Sequence, residues 1–306
     1  MDHTQRSVHK LASGKFPRKP LEVTTLDGVT LQGYLIVPET PKAVVMLNPG
    51  TAAKKEFYLP FVEYLAENGY LTCLWDYRGS GESAPPSLRG CDYRMIDYGL
   101  QDIPAIKADL RRRFPDLPLL IFGHSVGGQM IGFLPDLEDI AGMVGFAVST
   151  GYMWHMPWGY RLQSWFFFYL FSPLSVLLTG YVAAKRFGIM EDLPRNVVRQ
   201  WRRYCEQKDY FFAQRIYGRA VPKGRFTELP FPVHIFWSTD DPISNARSVP
   251  TFWGHARSKR GISFTRIEPK KEGLGKLGHF GFFKRRQREA LWGRALAKLN
   301  EMIGVK

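Results

Sequence analysis

Leu119-Leu120-Ile121-Phe122-Gly123-His124-Ser125-Val126-Gly127-Gly128 is the stretch on which the reading of the fold turns. Four apolar residues in a row predict a strand buried on both faces. Gly123 to Gly127 then spell G-x-S-x-G. Such a pentapeptide arises by chance in roughly one chain of this length in ten, so its context carries the weight. Here it leaves a strand and precedes a helix start. That is the setting of a strained strand-to-helix elbow that exposes a serine hydroxyl. The flanking glycines let the backbone crowd into the turn. Ser125 is therefore the candidate nucleophile, and the competing reading is a glycine-rich turn with an idle serine.

Working outward, the pattern of a parallel sheet with crossover helices repeats. Leu21 to Val37 reads as a hairpin around Asp27-Gly28. Ala43 to Leu47 is a short buried strand that ends in Asn48-Pro49-Gly50. Phe57 to Glu67 follows as a helix, with Phe57, Phe61 and Leu65 on one face and Asn68-Gly69 as its stop. Tyr70 to Trp75 is the next strand, and Ile103 to Phe114 the next helix, with Pro104 in its first turn. Beyond the elbow, Met143 to Val148, Val233 to Trp237 and Ile262 to Ile267 read as strands, and a basic helix from about Arg285 to Ile303 closes the chain. The class expected is α/β, a mostly parallel central sheet flanked by helices. Residues 152–230 break the series. They have few strand signals and are rich in Trp, Phe, Tyr and Arg, so they predict a helical cap inserted into a core formed by 1–151 and 231–306.

Composition narrows the function classes. The chain has 42 Lys and Arg against 28 Asp and Glu, a formal charge of +14. The basic residues fall in separate short runs, which reads as a solvated basic surface. No basic stripe alternates with aromatics, so nucleic acid is not an expected partner. Cys73, Cys91 and Cys205 form no CxxC pair, which argues against a disulfide framework and a thiolate zinc site. Reduced thiols in a cytoplasmic protein are expected. Met1 to Pro20 shows no apolar signal-like core.

The uncharged run Trp165 to Ala184 is long enough to span a bilayer of about 30 Å. A span would place the strand before Ser125 and the strand Val233 to Trp237 on opposite sides of the membrane, so it is not expected. The run instead predicts two short helices broken near Pro173, with an aromatic face lining an acyl pocket. The basic flanks Arg161, Lys185 and Arg186 leave room for peripheral lipid contact.

A serine nucleophile needs a base and an orienting acid, which in this kind of fold follow in the order Ser, acid, His. His155 lies in the insertion, His234 inside a strand, and His255 ahead of the last strand. His279 sits in a small-residue loop, Leu277-Gly278-His279-Phe280-Gly281, after the last strand, and is the candidate base. For the acid, Val233 to Trp237 runs into Ser238-Thr239-Asp240-Asp241-Pro242. Asp241 is preferred over Asp240, whose carboxylate is available to cap the turn. An oxyanion hole needs aimed backbone N–H groups. Val126 would supply one and Thr51, or else Ala52, the other. Pro49 has none to give.

With these residues in place, the chain resembles the α/β-hydrolase superfamily, and within it the serine aminopeptidase-like and monoacylglycerol-lipase-like hydrolases. Asp76-Tyr77-Arg78-Gly79-Ser80-Gly81-Glu82-Ser83 is similar to that group's D-x-R-G-x-G-x-S loop. Gly123 to Gly128, Gly180-Tyr181 to Leu193-Pro194 and Gly278-His279-Phe280-Gly281-Phe282-Phe283 complete the likeness. The resemblance implies Ser125, Asp241 and His279 as a triad. Two departures stand out: Asn48-Pro49-Gly50 replaces a common His-Gly, and Ser238 replaces a common glycine.

The expected activity is cleavage of a carboxylic ester of a small acyl substrate, without cofactor or metal. Acyl transfer, thioester cleavage and a catalytically silent ligand-binding role use the same residues and stay open. Gly273-Leu274-Gly275-Lys276-Leu277-Gly278 spells a dinucleotide fingerprint, but no βαβ unit follows it.

Overall fold

A computed structural model describes residues 16–305. Eight strands form one sheet in the order β1-β2-β4-β3-β5-β6-β7-β8. They are β1 (Arg18–Thr24), β2 (Thr30–Ile36), β3 (Ala43–Asn48), β4 (Tyr70–Trp75), β5 (Leu119–His124), β6 (Ile140–Phe146), β7 (Val233–Ser238) and β8 (Ile262–Ile267). The first two pair antiparallel with each other, and β2 with β4; β3 to β8 run parallel. The fold is the α/β class read from the sequence.

The strands explain their own positions. Every residue of β3, β4 and β5 is buried, as expected of parallel strands covered on both faces. Period-two alternation sorts them into two apolar layers. Val44, Met46, Leu119 and Ile121 join one cluster, and Val45, Leu47, Leu120 and Phe122 the other. Helices α1 (Leu59–Glu67) and α2 (Ile103–Arg113) make the crossovers, and α3 (Val126–Gln129) follows β5 directly. Gly69, at φ 82°, makes the turn after α1.

The chain steps from β3 out to β4 and then back past β3 to β5. Outside the carboxyl ends of β3 and β5 the connections therefore diverge, which opens a crevice in sheets of this kind. The loop after β4 is fixed from below. Asp76 accepts from the buried Lys55 ammonium at 2.6 Å and from the backbone N–H groups of Lys55 and Glu82. Arg78 donates to Asp102 at 2.6 Å and grips Asp27 with both terminal nitrogens. The D-x-R-G-x-G segment is thus a buried ion-pair scaffold. Breaking such a pair strands a buried charge.

Between Phe146 and Val233 the chain adds no strand to the sheet. It contributes α4 (Trp158–Phe166), α5 (Ser172–Thr179) and α6 (Arg195–Cys205), then returns through short turns; α7 (Ser248–Trp253) and α8 (Gly293–Met302) belong with the last strands. The expected break near Pro173 is not there. A π-helical turn, Phe167–Phe171, joins α4 to α5, so Trp158–Thr179 is one continuous helix. Proline lacks the N–H and its ring crowds the preceding turn. The wider turn just ahead of Pro173 relieves that crowding, so the helix need not stop.

Candidate active site

The elbow forms as the motif requires. Ser125 sits at φ 50°, ψ −117° between β5 and α3. A non-glycine residue there stores about 1–3 kcal/mol of strain. It is held by its own N–H, which donates to Phe146 O at 3.1 Å, and by its carbonyl, which accepts from Gly128 and Gln129. The glycines are needed because backbones nearly touch. A Cβ on Gly127 would lie 2.2 Å from Asn48 O, and one on Gly123 would lie 2.6 Å from Gly128 Cα.

The loops after β7 and β8 bring in the other two candidates. His279 Nδ1 is 2.7 Å from Asp241 Oδ2, with the carboxylate side chain fully buried and the imidazole nearly so. Asp241 Oδ1 accepts from the N–H groups of Ile243 and Ser244, at 2.8 and 3.0 Å. Asp240 does a different job. Its oxygens accept from Ser238 Oγ and from the N–H groups of Leu277 and Gly278, so it clamps the loop that carries His279. Two of the other histidines weighed from the sequence are engaged elsewhere. His234 lies between the hydroxyls of Ser263 and Thr265, and His255 pairs with Asp209.

Ser125 and His279 share the wall of a cavity of about 480 Å³ with Thr51 and Ala52. No hydrogen bond joins Ser125 Oγ to His279 among the described residues. The Gly50 N–H is already committed to Tyr58 Oη at 2.8 Å. Among the described residues, neither the Thr51 nor the Ala52 N–H donates to another protein group. Ala52 is held at φ 57°, a left-handed conformation costly for alanine.

Two contributors escaped the sequence reading. Buried His124 accepts from Tyr58 Oη at Nδ1, 2.7 Å, and donates from Nε2 to the carbonyl of His279, 2.8 Å. The carbonyl can only accept, which assigns the proton to Nε2. Burial, with His279 beside it, holds the His124 imidazole well below the usual histidine range, so it stays neutral. Gly50, Tyr58, His124 and His279 thus form one relay joining the loop after β3 to the loop after β8. Its sequence signal is His124 itself, the first x of the motif. The second is Tyr160, which lines the cavity from α4; burial, with Asp241 adding, pushes its hydroxyl up to about 12.

The expectation that the aromatic run lines the pocket is corrected. Of the continuous helix only Tyr160 reaches the cavity; Trp201 of α6 and Ile189 and Met190 of the intervening loop supply more of the apolar wall on that side. The helix is apolar nearly all round, so its sequence does not say which face turns inward. Phe167, Phe168, Ser172 and Ser175 do, and Ser175 Oγ ties the helix to the segment beyond it, donating to Tyr181 O and accepting from Ala183 N–H.

Comparisons with known proteins bear on the family and the fold. The family model described as "Serine aminopeptidase, S33" matches residues 39–203, more than half of the chain. The chain belongs to this hydrolase family. A polyketide transferase of Penicillium is 34% identical over 93 residues, 30% of this chain and 32% of that protein. The protein YfhR of Escherichia coli K12 is 31% identical over 119 residues, 36% of this chain and 39% of that one. The chain thus matches only about a third of these relatives' length. Among solved structures, a soluble variant of monoglyceride lipase from Saccharomyces cerevisiae superposes with TM-score 0.68 at 15% identity, covering 94% of this chain and 97% of that one. An esterase of Pyrococcus furiosus superposes with TM-score 0.61 at 17% identity, covering 98% and 94%. At such identities the likeness is one of fold. In this α/β-hydrolase, Ser125 stands at the switch point between β3 and β5, and Asp241 and His279 on the loops that follow β7 and β8.

Proposed function

We propose that the chain is a serine hydrolase that cleaves a carboxylic ester through an acyl-enzyme. The observation that carries this is the 2.7 Å contact between His279 Nδ1 and Asp241 Oδ2, with His279 sharing one cavity with the strained Ser125. With Asp241 on Nδ1, Nε2 is free to take the Ser125 proton, though that hydrogen bond commonly tightens only with substrate bound. Ser125 Oγ then attacks the ester carbonyl. The N–H groups of Val126 and of Thr51, or Ala52, hold the oxyanion. His279 returns the proton to the departing alkoxide, and water releases the acyl group. Residues 152–230 act as the cap, and Tyr160, Trp201 and Met190 bound an apolar subsite of ordinary small-molecule size.

The test is labelling with a fluorophosphonate. Wild type should become covalently modified at Ser125 and lose esterase activity in parallel. Labelling at another residue, or none in folded protein, would remove the reading. Acyl transfer is a second reading, favoured by the similarity to polyketide transferases. Product analysis with and without an alcohol or amine acceptor separates the two.

The His124 relay gives a further expectation. His124→Phe leaves the Tyr58 hydroxyl and the His279 carbonyl without their partner, which destabilises by about 1–3 kcal/mol per unsatisfied group. It also frees His279 to shift, and a misplacement of about 1 Å costs on the order of a hundredfold in rate. The fall should appear in kcat with little change in KM. A lowered Tm with unchanged kcat would leave His124 a core residue only.

A further inference from the structure

Trp158–Thr179 is 22 residues long and apolar enough to cross a bilayer, yet only 22% of its most apolar window is buried. A core helix would be covered. Here Trp158, Leu162, Trp165, Leu170, Leu174 and Leu177 stand between 51% and 80% exposed. They recur every three to five residues, so they form one stripe along the outer face. Soluble monomers rarely leave so large an apolar surface without a use.

We infer that this stripe seats the protein on an anionic lipid bilayer, with the helix lying in the plane of the interface. The ends of the helix exclude a crossing. Asn245 Nδ2 donates to His155 O just ahead of it, at 3.0 Å, and Arg89 Nε donates to Thr179 O at its last residue, at 3.2 Å. Both ends are thus tied to the body that carries the sheet. A helix of this length spans about 33 Å, and it lies along the molecule with its apolar face outward.

Charge selects the occupant. No carboxylate occurs from Ile140 to Met190. Arg161 lies over the rings of Trp154 and Trp158, at 4.9 and 5.4 Å, and Arg186 over Phe187 at 4.8 Å. Among the described residues neither arginine has a carboxylate within ion-pair reach, and Arg199 on the flanking α6 has none either. Cations are therefore held against the helix at its start, by Arg161, and beside its middle, where Phe187 packs on Phe171 at 5.5 Å under Arg186, the arrangement of an interfacial helix whose basic groups meet lipid phosphates. Two copies paired through this face would bring uncompensated cations together, with no carboxylate in this stretch to meet them, which disfavours a dimer. Lys185 and the half-exposed Ile189, a few residues beyond the helix, line the Ser125 cavity. The docking itself does not depend on the chemistry at Ser125.

The experiment is flotation of the full chain with vesicles of phosphatidylcholine, alone or mixed with phosphatidylglycerol. Wild type should float with the mixed vesicles at least about tenfold more tightly, since each Arg beside an anionic surface adds to the attraction. Salt should weaken the binding, and brominated lipid should quench tryptophan fluorescence. Leu170→Glu combined with Leu174→Glu should abolish flotation while leaving turnover of a soluble ester and the Tm unchanged. Arg161→Glu combined with Arg186→Glu should erase the preference for the anionic lipid. Flotation unaffected by the leucine substitutions would overturn the inference. So would a light-scattering mass of a dimer that the leucine substitutions split, or wild type released from membranes by detergent alone and not by salt and carbonate.

Discussion

Ser125→Ala is expected to lower turnover of a small p-nitrophenyl ester by about a million-fold, the usual cost of deleting a triad nucleophile. The fold should survive. Serine and alanine share the same Cβ, so the backbone at φ 50°, ψ −117° is neither more nor less strained by the change. The hydrogen bonds that fix the elbow are made by the main chain, Ser125 N–H to Phe146 O and Ser125 O to Gly128 and Gln129. Ser125→Gly supplies the matching control. It removes the hydroxyl and also relieves the left-handed strain, so it should be as inactive as the alanine variant but melt at a higher temperature. Steady-state hydrolysis and thermal melts on the three proteins make the comparison. Wild-type hydrolysis by either variant would show that the ester is cleaved elsewhere.

How much of this was legible in the sequence depends on how local the cause is. The buried strands could be read because parallel strands covered on both faces are written as unbroken apolar runs, as in Ala43 to Leu47 and Leu119 to Phe122. The elbow could be read because its backbone strain demands glycine at fixed offsets. Asp241 and His279 could be chosen from their places after the last strands, but Asp240 and Asp241 are adjacent and chemically alike. Only the loop geometry separates them: one faces the imidazole, the other the N–H groups of Leu277 and Gly278. The Tyr58–His124 relay was not legible, because its partners come from three segments far apart in the chain. The helix Trp158–Thr179 misled for a different reason. Proline usually ends a helix, and the π-helical turn that accommodates Pro173 has no sequence signature among phenylalanines. Nor does uniform apolarity mark a buried face. Of the aromatic face expected to line the pocket, Phe167 and Phe168 turn inward but stop short of the cavity, while a Trp- and Leu-rich stripe faces solvent.

Asp241→Asn should reduce kcat/KM by roughly ten-thousand-fold, and the structure says why the effect is large. Asp241 Oδ1 is fixed by two backbone donors, Ile243 and Ser244. An asparagine must turn its carbonyl oxygen toward them and its amide nitrogen toward His279 Nδ1. That nitrogen donates, so Nδ1 has to accept and the imidazole proton moves to Nε2. The base then presents a proton to Ser125 where it needs a lone pair. Burial allows no water to repair the mismatch, since the Asp241 side chain is fully buried. Asp240→Asn disturbs a different bond. Its amide nitrogen would face Leu277 N–H, Gly278 N–H or the Ser238 hydroxyl, which loosens the loop ahead of His279 without changing the tautomer. It should therefore lower the Tm and cost far less in rate than the Asp241 change. Kinetics of both variants across pH, with melts alongside, decide the assignment. The opposite ranking, with Asp240→Asn the more damaging in rate at equal stability, would transfer the orienting role to Asp240.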